Sequence, residues 1–223
     1  MKKNVKKTGS GFETIRKHLT VRLHQPERIK ELLPSIPHRM ICDMAEVVCV
    51  YLKDKDKDGF LTVTNEMLNK WGIDEEELFS IALGNTVKRR PASLRPLFDI
   101  LAERGLVPEE FCGEEVQEKK IYVATNKEGL LGAGVILYPG FLADAAKKIG
   151  CSFFLIPSSV HELLFLPDTG DVDVDAMSMM IREVNENQVS PEEWLSDHPY
   201  RYDRETRCLT SEGTGEKKLY SCA

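Results

Sequence analysis

No run of this 223-residue sequence approaches the roughly 18–20 consecutive apolar residues of a membrane helix, so no membrane partner is expected. The opening MKKNVKKTGSGF is basic but has no apolar run behind it, and so lacks the build of a secretory signal. No two of the six cysteines form a C-x-x-C pair, which removes the usual redox and zinc signatures. There is no G-x-S-x-G elbow to present a nucleophile. The Gly-rich LGAGVILYPG lacks both G-x-G-x-x-G and a Walker lysine, so it does not read as a phosphate cradle. No cofactor is expected. With no export signal, the cysteines (42, 49, 112, 151, 208 and 222) are expected reduced and mostly buried, in the cytoplasm.

What is present is an ordinary globular composition, 42% hydrophobic and 30% charged, in a chain long enough for a sizeable core. Charge is unevenly spread. Residues 1–30 carry nine Lys/Arg against two Asp/Glu, while the remainder holds 21 basic and 34 acidic groups. A basic arm can serve nucleic acid, but here an acidic body follows that would repel phosphates. A protein is the more natural macromolecular partner.

The chain reads as a basic disordered arm over 1–19, a single α+β domain over 20–210, and a flexible tail over 211–223. If the domain divides, the acidic, irregular 106–119 is the joint. QPERIKELL reads as a short helix with Pro26 in its first turn, ended by Pro34 and Pro37. AEVVCVYL (45–52) and FLTVTN (60–65) form a hairpin about KDKDKDG. Asp74 and Glu77 have capping-box spacing and open a helix with Leu78, Ile81, Ala82 and Val87 on its apolar face. SLRPLFDILAERG supplies another helix, closed by Gly105. Beyond the joint come IYVATN, GAGVILY, a helix in GFLADAAKKIG, and the apolar runs FFLI and ELLFL. In VDAMSMMIREVNEN, Met177, Met180, Ile181 and Val184 share one side, and core filling is expected of them. SPEEWLSD carries a helix start at Ser190, and YRYD with CLT closes as a hairpin. Strands in hairpin-like pairs favour a mainly antiparallel α+β sheet with helices packed on it.

Several separated phrases also resemble one family in the same order: VRLHQPERIKELLPSIPHR, LTVTNEMLNKWGIDEEELFSIALGNT, IYVATNKEGLLGAGVILYPG, FFLIPSSVHELLFLP and REVNENQVSPEEWLSDHPYRYDRET. It is a domain-of-unknown-function family found in gut clostridia (Firmicutes), and the resemblance covers roughly residues 20–207. Members usually carry a further N-terminal region before the VRL phrase, and the resemblance implies that most of it is missing here. The family brings no reaction, cofactor or catalytic residue.

Three groups of residues invite chemistry. LIPSSVHELLFLPD sets Ser158, Ser159, His161 and Glu162 between two apolar runs. On a strand, His161 and Glu162 point to opposite faces; on a helical turn, Ser159 and Glu162 would cap backbone amides. A serine could meet His161 across the turn, with an acid from elsewhere. The plainer expectation is a chain reversal between buried segments. DKDKDG places Asp54, Asp56 and Asp58 like the opening of a calcium loop, but position twelve is Asn65 and the flanks read as strands. His38 and Cys42, with Cys49 or His24, offer at most one tight ligand pair where zinc wants two. Gly132 and Gly134 are expected to admit a close neighbour. The function read from these features is a non-catalytic binding or regulatory module. The alternative is a hydrolase using Ser158 or Ser159 with His161.

Overall fold

The computed structural model describes residues 11–53, 58–107, 121–213 and 218–221. The chain divides into two compact units, Met1–Met40 with Met44–Pro91, and Ile41–Asp43 with Ala92–Ala223. The main seam falls at Pro91; of the segment 106–119, only the first two residues are described.

In the first unit, α1 (Phe12–Ile15) leads into β1 (Leu19–His24), followed by β2 (His38–Ile41), β3 (Met44–Lys53) and β4 (Asp58–Thr62). β1, β2 and β4 all pair with β3. The expected hairpin is present as β3 and β4, antiparallel, with Tyr51 opposite Phe60. β1 was not foreseen. It pairs antiparallel with β3 from Leu19↔Val50 to His24↔Ala45, and Leu19, Val21 and Leu23 are buried. Phe12, on the expected arm, is buried with its ring 5.3 Å from Trp71. QPERIKELL forms two short 3-10 turns, Pro26–Ile29 and Leu33–Ser35, in place of a helix. Pro34 lacks the N–H that a longer helix would need there.

Two helices complete this unit. α2 (Asn65–Trp71) starts at Thr64, whose hydroxyl accepts the Met67 N–H, and ends at Gly72 in the left-handed region. α3 (Glu75–Arg89) starts at Asp74, which accepts the Glu77 N–H at 2.9 Å as its spacing predicts. Its buried face is Leu78, Phe79, Ala82 and Thr86, while Ile81 and Val87 are half-buried at its edges. Thr86 takes the inner position because its hydroxyl has a backbone partner on β1, accepting the Val21 N–H at 3.1 Å.

The second unit is built on one seven-stranded sheet. Its elements are β5 (Ala92–Pro96), α4 (Leu97–Glu103), β6 (Tyr122–Asn126), α5 (Phe141–Ile149), β7 (Phe153–Pro157), β8 (Leu163–Pro167), α6 (Val174–Gln188), β9 (Tyr200–Asp203), β10 (Cys208–Ser211) and β11 (Leu219–Ser221). The strand order is β11-β10-β9-β7-β8-β6-β5, and each pairing is antiparallel. The fold is therefore α+β with antiparallel sheets, as the hairpin pattern implied. Leu219–Ser221, in the expected tail, adds the strand at one edge.

Three local readings change. ASLRP is a strand, because pairing with β6 overrides its helical context, and the helix begins only at Leu97. GAGVILY is a buried 3-10 helix over Gly132–Leu137, entered through Leu131 in the left-handed region. SPEEWLSD keeps only a 3-10 turn at Pro191–Glu193. Ser190 makes no side-chain cap, and Trp194 is already extended, its indole N–H donating to Val189 O.

β7 is buried along its whole length, which is why FFLI reads as an unbroken apolar run. One face carries Phe154 and Ile156 with Met177 and Ile181 of α6, and Leu164, Leu166, Val172 and Val174 pack around them. On the other face the Phe153 ring stacks on Phe165 at 4.6 Å, with Tyr202 and the α5 residue Phe141 beside them. Leu155, Leu163 and Phe165 are buried, as expected of the segments flanking the Pro157–Ser158–Ser159 chain reversal, but Leu164 and Leu166 are only half-buried beneath α6.

Candidate functional site

The β7–β8 connection holds Ser158, Ser159, His161 and Glu162. Ser159 Oγ accepts the His161 N–H at 3.0 Å, and the Ser159 N–H donates to Glu162 O at 3.3 Å, so the turn closes on its own backbone. The His161 ring points elsewhere. Its Nδ1 accepts the Leu131 N–H at 3.1 Å, which places the ring proton on Nε2, 3.3 Å from Glu193 Oε1. His161 O in turn accepts from Thr125 Oγ1 at 2.8 Å. An acid from elsewhere does reach the imidazole, but no serine does. With Nδ1 already accepting and Nε2 facing a carboxylate, the ring has no lone pair left to take a proton from Ser158 or Ser159. Ser158 and Glu162 make no side-chain hydrogen bond or ion pair among the described residues.

Gly132 explains how closely this turn is seated. A Cβ there would lie 2.3 Å from His161 O and 2.0 Å from Thr125 Oγ1. Gly134 has nothing within 4 Å and needs no such reason.

The calcium-like residues Asp54 and Asp56 lie outside the described residues; Asp58 opens β4, and its side chain is likewise outside them. The histidines and cysteines weighed for zinc are spoken for locally. His38 Nδ1 lies 3.1 Å from Ile36 O, Cys42 donates to Leu209 O, and Cys49 is buried beside Thr62. Burial and Arg22 hold His24 down at about 4. Among the described residues, no three His, Cys, Asp or Glu side chains gather as a metal site would need. Cys42, Cys49, Cys151 and Cys208 are free thiols; Cys112 and Cys222 lie outside the described residues.

A polar cluster that sequence reasoning missed surrounds Asp43. Tyr200 donates to its carboxylate at 2.6 Å, and His198 Nε2 lies 3.0 Å from it, though the ring N–H does not point along that line. His198 Nδ1 is 3.3 Å from Ser196 Oγ. Burial alone would raise the Asp43 carboxyl, but the closeness of His198 and the hydrogen bond from Tyr200 outweigh it and hold it low. Burial and the neighbouring Asp43 push the Tyr200 phenol well up, so it remains a donor. Asn185 of α6 fastens the segment, donating to Ser196 O and Asp197 Oδ1. The order Ser-His-Asp suggests hydrolysis, yet Ser196 and His198 are both buried, so substrate has no approach to the hydroxyl. The cluster is a knot that ties residue 43 to β9. The alternation of Ser196, His198 and Tyr200 was visible; their acid, some 155 residues earlier in the chain, was not.

The outer side of α6 has no such internal use. Asp173, Met177, Met180 and Val184 fall in one stripe at helical spacing. Met177 is buried, but Met180 is 50% exposed and Val184 37%, with Met179 at 64% beside them. The expectation that Met180 and Val184 fill the core therefore fails. The core beneath α6 is made by Met177 and Ile181 with Phe154, Ile156 and the leucines of β8, and neither Met180 nor Val184 belongs to it. At the N-terminal end of the stripe lies a half-open cavity of about 220 Å³, lined chiefly by Leu166, Pro167, Val172 and Met177, with Asp171 and Asp173 at its rim. Asp175, Glu183 and Glu186 are exposed on the same helix, against Arg182 alone. No helix among the described residues is long and apolar enough to cross a membrane.

Residues 2–204 match the sequence model of DUF5688, a family of unknown function. No curated protein and no solved structure matches the chain.

Proposed function

The chain belongs to DUF5688, and from that premise we propose that it is a non-catalytic binding module whose contact surface is the outer side of α6. The observation that carries this reading is the stripe itself: apolar side chains leave the core at Met177 and continue into solvent at Met180 and Val184. Methionine suits such a surface, since its unbranched, polarisable side chain fits varied neighbours. Each such side chain is worth roughly 1.5–3 kcal/mol when fully covered. The partner that fits is a protein segment with one or two apolar anchors flanked by Lys or Arg, because Asp171 and Asp173 stand at the rim of the cavity and Asp175, Glu183 and Glu186 are exposed on the same helix. The same acidic rim argues against nucleic acid. A cytoplasmic setting belongs to the proposal and draws its support from the free thiols among the described residues. The hydrolase alternative draws no support from the geometry about His161.

The test is affinity purification from the native host with wild type and with a Met180→Asp/Val184→Asp variant of unchanged melting temperature. A protein that binds the wild type, binds the variant at least roughly tenfold more weakly on direct titration, and presents basic flanks supports the reading. A partner held equally by both baits, or none held by either, refutes it.

A further inference from the structure

The turn between β9 and β10 carries an arginine where a glycine would be easier. Arg207 has φ 54°, in the left-handed region, where a Cβ costs energy that glycine escapes. The turn itself does not ask for this side chain. Asp203 Oδ1 closes it by accepting the N–H groups of Glu205 and Thr206 and the Thr206 hydroxyl. Arg207 makes no side-chain hydrogen bond or ion pair among the described residues. What its side chain does is line a cavity.

That cavity is half open and measures about 170 Å³, bounded by Ala143, Ala146 and Lys147 of α5 and by Arg204 and Arg207. Ala146 is buried and Ala143 half-buried, while the three cationic residues are exposed, so the apolar part of the lining lies deeper than the charged part. Arg204 is already held in place: its Nη1 donates to Gly150 O at 2.6 Å, and its backbone N–H donates to Ser152 Oγ at 3.0 Å. The carbonyl end of α5 favours cations and accounts for Lys147 and Arg204. It does not account for Arg207. Two carboxylates stand nearby, Asp144 at 2.9 Å from Lys147 Nζ and Glu205 at 3.8 Å from Arg204 Nε. Neither takes Arg207, so its positive charge is left over.

We propose that this cavity binds a small anion of the phosphate class, held by Lys147, Arg204 and Arg207. Arg207 offers all five guanidinium donors, and Arg204 still has those of Nη2. A phosphate group brings up to two charges and three terminal oxygens, which suits donors arriving from three side chains; one carboxylate is satisfied by a single guanidinium fork. Any organic part of the ligand rests on Ala143 and Ala146 and is short, since drug-sized ligands occupy pockets of roughly 300–1,000 Å³. The site shares no residue with the α6 stripe, so either can fail without the other.

The experiment uses the full chain, prepared free of phosphate, and titrates inorganic phosphate, glycerol 3-phosphate and succinate at constant ionic strength, with chloride as the balancing anion. One saturable site with Kd below about 1 mM is expected for at least one of the two phosphates. Tighter binding of glycerol 3-phosphate assigns the site to an ester, and tighter binding of inorganic phosphate assigns it to the free ion. Arg207→Gly weakens binding by at least roughly tenfold, yet melts no lower than wild type in chloride, because glycine adopts the left-handed backbone freely. Lys147→Gln, on the exposed side of α5, weakens binding severalfold. A lower melting temperature for Arg207→Gly would make that residue part of the fold and overturn the proposal. So would the absence of saturable binding up to about 10 mM, or binding that survives both substitutions. Succinate held as tightly as either phosphate, as any crowd of exposed cations would hold it, also overturns it.

Discussion

Gly132→Ala tests whether the β7–β8 connection is seated on the 3-10 segment as tightly as the geometry says. The added methyl would stand 2.0 Å from Thr125 Oγ1, 2.3 Å from His161 O and 2.9 Å from Asn126 N. Ordinary contact between non-bonded heavy atoms is at about 3.5–4.0 Å. Two of the three neighbours are backbone atoms, so the clash is relieved only by lifting the turn or the end of β6. Overpacking of this kind costs about 1–3 kcal/mol. Loss of the Thr125–His161 hydrogen bond adds about 0.5–1.5 kcal/mol, giving a total of roughly 2–4 kcal/mol. Gly134→Ala is the control, since it meets nothing within 4 Å and is expected to be neutral or stabilising by up to about 1 kcal/mol. Each unit carries one tryptophan, Trp71 in the first and Trp194 in the second. Urea unfolding followed by Trp194 fluorescence, in a Trp71→Phe background, therefore reports the second unit. At a slope of about 2 kcal/mol/M the Gly132→Ala midpoint falls by about 1–2 M. Equal midpoints for the two alanine variants would show that the turn is not seated there.

Burial pushes Glu46 from 4.5 to about 7, with Arg39 pulling it back. A carboxyl raised in the folded state contributes stability below its unfolded pKa that is lost as pH rises through 7. Glu46→Gln should thus stabilise the first unit by a few kcal/mol at pH 8 and hardly at all at pH 4.5; equal gains at both would contradict the buried assignment. His161→Ala removes the acceptor for the Leu131 N–H and should cost about 1–2 kcal/mol in chemical denaturation. An ester- or peptide-cleaving activity in the wild type that disappears with this variant would reinstate the hydrolase. Calcium titrated calorimetrically should show no site tighter than about the millimolar range, and a micromolar site abolished by Asp54→Ala would count against that.

Where the sequence could be read, one local pattern carried the information. The Lys/Asp/Gly turn between two β-branched runs, Asp74 three residues before Glu77, and the apolar runs on either side of Pro157 each determine structure over a few residues. β1 escaped because its outer positions are Arg22 and His24, which read as a polar terminus until pairing with β3 buries Leu19, Val21 and Leu23. β5 escaped because two prolines frame ASLRP, and only pairing with β6 makes it a strand. The site residues were harder. Ser158, Ser159, His161 and Glu162 are neighbours in sequence, but their hydrogen bonds go to Leu131, Thr125 and the turn's own backbone. Met180 cannot be told from Met177 by spacing, since only the packing against Phe154 and Ile156 of β7 decides which is covered. Lys147, Arg204 and Arg207 come together only where α5 meets the turn between β9 and β10, which no local window contains.

Asp43 belongs to the second unit although chain of the first lies on both sides of it, and this has a consequence for synthesis. Its phenolic partner, Tyr200, emerges 157 residues later. At about 5–20 residues per second, the ribosome needs on the order of 8–30 s to supply it. During that interval the first unit can assemble with residues 41–43 left as an open stitch. Asp43 and Cys42 close only when β9 and β10 arrive, so strands made late fix one of the first loops. A nascent chain stalled before Tyr200 would carry that stitch undone, and a fragment cut at Pro91 would keep it undone for good.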